Sequence, residues 1–360
     1  MKIASIVGAR PQFIKLAPFS TEIRKLCQEV IIDTGQHYDD EMASNFYSEF
    51  QIPRPDYSLG IGSGSHSYQT GKMLIELEKV IASAMPDMCV VFGDTNSTIA
   101  GAIASKKLGI PLAHVEAGLR SFDRYMPEEI NRIVADHLSD LLFCPNEDAH
   151  RNLANEGITE GVLISGDIML DTLNASLEAA RRHSDVLERL SLCKKEYQLL
   201  TCHRPANTDN EQNLKNIISA VEESGEKTVF PVHPRTTKYM DMYRLTNRLP
   251  KNLIVTKPLS HMDTIWLAAN AKRVLTDSGG LQKEAYILGV PCITLRDTTE
   301  WMDTVRVKWN ILVGADKGNI LRAIKEFVPP AEHPDIFGPA GASRRITSEI
   351  TRYLEKRRAG

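Results

Sequence analysis

Cationic and acidic residues gather at the ends of apolar runs along this 360-residue chain. At Gly8-Ala9-Arg10-Pro11-Gln12, with Lys15 one turn further on, glycine allows close backbone approach, Arg10 offers a planar five-donor fork and Lys15 a point charge. At a helix N-terminus these groups suit a phosphate or another anion; a solvated turn with a surface lysine uses the same residues. Gly93-Asp94-Thr95-Asn96-Ser97-Thr98 follows the run MCVVF, and Asp94 fits either acid–base work or the cap of the next helix. His114-Val115-Glu116-Ala117-Gly118-Leu119-Arg120 leads to Pro127-Glu128-Glu129-Ile130-Asn131-Arg132. Pro127 suits the first helical position, and the helix dipole is sufficient reason for Glu128 and Glu129. Glu116 is harder to dismiss, because a carboxylate closing an apolar strand needs a partner or a task.

The second half repeats the pattern. His203-Arg204-Pro205 follows LLTC and His233-Pro234-Arg235 follows VFPV. Thr276-Asp277-Ser278-Gly279-Gly280-Leu281-Gln282-Lys283-Glu284 joins a strand to a helix. Ser278, Gly279 and Gly280 can present successive N–H groups to a phosphate at the positive helix end, and Glu284, a turn later, can accept two ribose hydroxyls. A single histidine is usually a satisfied side chain. Two of them, ending strands of one sheet beside arginines, point to a ligand. The cationic loops suggest a diphosphate, and the carboxylates and histidines acid–base work on what it carries. No HxH, HExxH or paired cysteines mark a metal site, GxSxG is missing, and neither GxGxxG nor GxxxxGK[ST] occurs.

The elements that must position these loops read as alternating strands and helices. Strands are expected at Lys2–Val7, 30–33, 87–92, 110–115 and 140–144, with helices near 13–27, 40–50 and 68–84 and a loop over 52–65. The pattern restarts after the charged segment 178–189, with strands at 197–202, 227–232, 252–255, Arg273–Thr276 and 292–295. Helices follow near 210–222, 262–269, 280–288 and 317–327, then a Pro-rich loop at 328–339. A terminal helix over 343–356 shows little partner of its own. Continuous apolar strands, each followed by a helix, indicate doubly wound parallel sheets in an α/β protein. Two Rossmann-like domains are expected, residues 1–167 and 168–342, with ligands entering a cleft between them at the C-terminal strand ends.

Composition removes several classes of function. Lys plus Arg number 43 and Asp plus Glu 46, so the formal net charge of −3 leaves no basic field for nucleic acid or an anionic membrane. The chain is 42% hydrophobic and 25% charged, ordinary for a globular protein. Its apolar stretches are too short to span a membrane, and MKIASIVGAR reaches Arg10 and Pro11 too soon for a signal peptide. Six scattered cysteines read as reduced thiols of a cytoplasmic protein.

Taken together, GARPQFIK, TGQHYDDEM, VFGDTNST, HVEAGLRS, MPEEINR, CHRPAN, TDSGGLQKEA and LRDTTEW resemble, in order, the motifs of the non-hydrolysing UDP-N-acetylglucosamine 2-epimerases. The resemblance implies a GT-B architecture whose terminal helix, 343–360, crosses back onto the first domain, commonly as a homodimer. It implies UDP-N-acetylglucosamine and UDP-N-acetylmannosamine as the substrate pair, with neither NAD nor metal. Carried over motif by motif, it makes Asp94, Glu116 and Glu128 the acid–base carboxylates and His203 a catalytic or phosphate-binding histidine. Arg10 and Lys15 become cleft residues, Ser278, Gly279 and Gly280 the diphosphate loop, Glu284 the ribose carboxylate, and Leu259 and Thr264 the neighbours of uracil. His233 is expected in the ligand set from its place at a strand end. Where some members carry Arg, this chain has Trp301.

The same resemblance implies loss of UDP with removal of the C2 proton to give 2-acetamidoglucal, then re-addition with protonation from the other face. Glu116 and Asp94 are expected to handle the proton, supported by Glu128 and His203. PQFIK, SFDRYMPEEINR and TEW also resemble the branch acting on UDP-2,3-diacetamido-2,3-dideoxyglucuronate, a surface-polysaccharide precursor. A GT-B glycosyltransferase would share the fold but need an acceptor. Gln36 and His37 fall where bacterial relatives bind a second UDP-N-acetylglucosamine as activator.

Overall fold

The computed structural model describes residues 1–36, Tyr47 and 52–359. His37, and all but Tyr47 of the helix expected near 40–50, lie outside the described residues. The chain forms two compact units, Met1–Thr172 with Phe337–Gly360, and Leu173–Ile336.

In the first unit the strands are β1 (Lys2–Val7), β2 (Gln28–Asp33), β3 (Tyr57–Ser58), β4 (Met88–Phe92), β5 (Leu112–Val115), β6 (Leu141–Cys144) and β7 (Val162–Ile164). They pair in parallel in the order β3-β2-β1-β4-β5-β6-β7. Residues alternate faces, so Ile3, Val7, Met88, Val90 and Phe92 join one core and Ala4, Ile6, Cys89 and Val91 another. Helix Arg10–Ile23 covers the first face with Leu16, Phe19 and Ile23, while His66–Ala84 and Asn96–Lys107 cover the second. The last helix, Ala342–Ala359, packs on the first unit: Ile346, Ile350 and Leu354 recur every fourth residue and bury in the first core, against helix Arg10–Ile23.

The second unit contains β8 (Gln198–Thr201), β9 (Thr228–Pro231), β10 (Leu253–Thr256), β11 (Arg273–Thr276), β12 (Cys292–Thr294) and β13 (Asn310–Leu312). Their order is β10-β9-β8-β11-β12-β13, again all parallel, between two apolar cores. In each unit the winding reverses once, between β1 and β4 and between β8 and β11. Loops leaving adjacent strands diverge there and leave room for a ligand at the C-terminal edge. The charged segment 178–189 forms the end of helix Ile168–His183 and a short helix, Val186–Arg189. Among the described residues, no helix is long and apolar enough to cross a membrane.

Candidate active site

At the β1/β4 switch point, Gly8 and Ala9 donate their N–H groups to Gln12 Oε1 (2.9 and 3.1 Å), and Gln12 Nε2 donates to the Phe92 carbonyl (3.0 Å). This buried amide ties the loop after β1 to the end of β4. Arg10 opens the helix and is exposed. Lys15, a candidate for an anionic ligand, points inward and pairs with Glu116, where its ammonium neutralises the carboxylate. Burial works against the Lys15 charge, but Glu116 first, then Asp94 and Asp167, outweigh it and hold its pKa above the ordinary lysine value. Glu116 closes β5 with φ +75°, a left-handed backbone unusual for a residue with a side chain. Gly93, at φ +61°, passes so close that an added Cβ would lie 2.9 Å from Lys15 Nζ and 3.3 Å from Glu116 Oε2.

Asp94 is not the cap of the next helix. Thr95 holds that position, and Asp94 Oδ2 accepts from Arg132 at 2.5 Å. Arg132 also reaches Glu129 (3.0 Å), and Asn131 Nδ2 donates to the Asp94 carbonyl (2.8 Å). Glu129 is buried and accepts from the Ser121 and Phe122 N–H groups (2.8 and 2.9 Å); burial would raise its pKa, but these bonds and Arg132 hold it below the usual carboxylate range. That loop cap occupies Glu129, whereas the neighbouring Glu128 lines a cavity of about 410 Å³ with Asp94, Gln36, His66, Gln69 and Asn131. Lys15 and Glu116 lie outside the cavity lining, and among the described residues that line it none is Lys or Arg.

In the second unit the switch point brings β8 and β11 together. Asp277, fully buried, accepts from the His203 N–H (3.0 Å), the Arg204 N–H (2.9 Å) and Asn207 Nδ2 (3.0 Å). His203 Nδ1 lies 3.3 Å from Asp277 Oδ1, and the His203 ring stands 5.6 Å from that of His233, centroid to centroid. His233 caps helix Pro234–Met242, its Nδ1 accepting from the Arg235 N–H at 3.1 Å. Ser278 caps helix Gly279–Ile287, whose first N–H groups, from Gly279 and Gly280, no carbonyl within the helix can reach. Glu284 sits 3.5 Å from His261 Nε2. Leu259, like Trp266, packs against the core that holds Leu267 and Val274, and Thr264 Oγ1 turns back to the Ser260 carbonyl at 2.9 Å.

Trp301, in place of arginine, still makes a polar contact: its indole N–H donates to the Gly279 carbonyl at 2.8 Å, and Lys283 Nζ lies 4.8 Å from the ring centroid. Residues that carry weight here without having been singled out are Arg132, Gln12 and Asp277. Arg132 had one signal, its place one turn after Glu128 on the same helix. No group of three or more His, Cys, Asp or Glu among the described residues could hold a metal ion.

Two doubly wound parallel units, with carboxylates at one switch point and a serine-capped, glycine-opened helix at the other, make this an α/β protein of the GT-B class. A family model described as UDP-N-acetylglucosamine 2-epimerase matches residues 21–351, and the chain belongs to that family. It is 54% identical to a protein of Methanococcus maripaludis named UDP-N-acetylglucosamine 2-epimerase homolog, over 98% of this chain and 100% of that one. It is 42% identical to the UDP-2,3-diacetamido-2,3-dideoxy-D-glucuronate 2-epimerase of Pseudomonas aeruginosa, over 99% and 100%. The crystal structure of Methanocaldococcus jannaschii UDP-GlcNAc 2-epimerase in complex with UDP-GlcNAc and UDP superposes with a TM-score of 0.82 at 43% identity, covering 98% of this chain and 100% of that one.

Proposed function

We propose that this chain interconverts UDP-N-acetylglucosamine and UDP-N-acetylmannosamine by inverting C2. The C2 proton is not acidic, since no carbonyl adjoins it. A feasible route breaks the C1–O bond, releases UDP, takes the C2 proton and leaves 2-acetamidoglucal; UDP then re-adds while a proton arrives at C2 from the opposite face. The observation that carries this reading is the pair of carboxylates at the ends of two neighbouring strands, Glu116 on Lys15 and Asp94 on Arg132. Two carboxylates held by different cations can serve as base and acid, each giving roughly 10²–10⁴-fold. Glu128 and His203 support them. The family membership and the complex of the 43%-identical relative favour the same substrate.

The roles divide by unit. Residues 1–167, with the terminal helix 343–360, supply proton handling through Asp94, Glu116 and Glu128, with Arg10 and Lys15 beside them. Residues 168–342 hold UDP: Ser278, Gly279 and Gly280 take the diphosphate with His203 and His233, Glu284 the ribose, and Leu259 and Thr264 the uracil. Preorganised N–H groups and cations stabilise the departing diphosphate. The working form is a cytoplasmic homodimer that needs neither NAD nor metal.

Incubation with UDP-N-acetylglucosamine in D₂O tests the proposal: deuterium should enter at C2 as UDP-N-acetylmannosamine forms. Unlabelled starting material would sink it. A glycosyltransferase would give no epimer without an acceptor. A second reading, C2 epimerisation of the diacetamido-glucuronate, is favoured by the 42%-identical relative, and side-by-side turnover of the two UDP-sugars separates them.

A further inference from the structure

His114, in β5, is completely buried, with Nε2 2.7 Å from the Gly93 carbonyl and Nδ1 2.7 Å from Asp136 Oδ1. A carbonyl only accepts, so Nε2 donates. Asp136 also accepts from the Gly118 N–H at 3.1 Å and from Arg120 at 2.7 Å. Burial alone would raise the Asp136 pKa, but His114 and Arg120 outweigh it and hold the group below the usual carboxylate range. An ionised carboxylate only accepts, so Nδ1 donates too.

Three backbone segments meet at this hub. Gly93 precedes Asp94, Gly118 lies two residues beyond Glu116, and Asp136 sits in the last turn of helix Pro127–Leu138, whose first turn carries Glu128. The left-handed backbone at Glu116 needs surrounding bonds to persist, and the Gly118–Asp136 contact is one of them. We propose that His114, donating from both ring nitrogens, is a positioning residue for proton transfer: it locks the turn bearing Asp94 to the carboxylate that anchors the turn bearing Glu116. The inference rests on the acid–base reading of those two carboxylates.

The test is made on the full chain. Nitrogen-15 NMR of ring-labelled histidine should show hydrogen on both nitrogens of His114, protected from exchange. In His114→Gln, whose amide can reach only one of the two acceptors, kcat should fall about 10- to 100-fold, with KM and UDP affinity within about twofold. Asp136→Asn keeps the shape, removes the charge and carries the same expectation if the first variant fails to fold. A single ring proton, or an unchanged kcat per folded molecule, overturns the proposal alone. Wild-type protein inert toward both UDP-sugars overturns the functional reading and this step with it.

Discussion

Glu116 combines a side chain paired with a buried ammonium and a backbone conformation that costs about 1–3 kcal/mol. Such strain fixes the direction of the carboxylate, and under the proposed function that carboxylate acts as a base on carbon. Glu116→Gln then keeps the shape and loses the base. Deuterium entry at C2 should fall about 10²–10⁴-fold, while calorimetry finds UDP bound as in the wild type. Exchange near the wild-type rate would remove Glu116 from proton transfer. The types of residue at this edge were legible in the sequence because polar groups interrupt apolar runs there. Their partners were not. Lys15 reads as a cation for an anionic ligand, yet its neighbour in space is 101 residues away, and Asp94 reads equally as a cap until Arg132, 38 residues on, is seen to hold it. Such pairings depend on how strands are ordered, which local spacing does not encode.

The elements were more readable than their partners, since each strand is a continuous apolar run and each helix repeats near 3.6 residues. Short pieces escaped: Tyr57–Ser58, Val162–Ile164 and Asn310–Leu312 are two- or three-residue strands at sheet edges, too brief to show a period. The first helix begins at Arg10 rather than Phe13 because Pro11 pre-sets its first turn. Turn geometry matters more at Gly118, where φ is +79° and an added Cβ would lie 2.3 Å from the Ala149 carbonyl. That oxygen belongs to helix Glu147–Asn155 and cannot move aside as a side chain would. Gly118→Ala should therefore destabilise the protein by about 2–4 kcal/mol in urea unfolding, from left-handed strain and the clash together. A change below about 0.5 kcal/mol, the scale of neutral surface substitutions, would contradict this packing.

At the scale of the molecule, two units each own their cores, and the chain leaves the first at residue 172 only to return to it at 337. The terminal helix thus belongs to the fold of the N-terminal unit, although more than 160 residues of the other unit precede it. Ile350 is fully buried there among residues such as Leu16 and Phe19. Cutting it to alanine removes three methyl or methylene groups and leaves a void, a change that typically costs about 2–5 kcal/mol. Because units with separate cores open separately, that cost should fall on one of them. Hydrogen exchange in Ile350→Ala should quicken across Lys2–Val7 and Met88–Phe92, while Gln198–Thr201 and Arg273–Thr276 stay as protected as in the wild type. UDP affinity, assigned to the second unit, should change little even as epimer formation declines with loosening of the carboxylate edge. Equal loss of protection in both sheets would show that the units unfold as one body, and the division of roles between them would have to be redrawn.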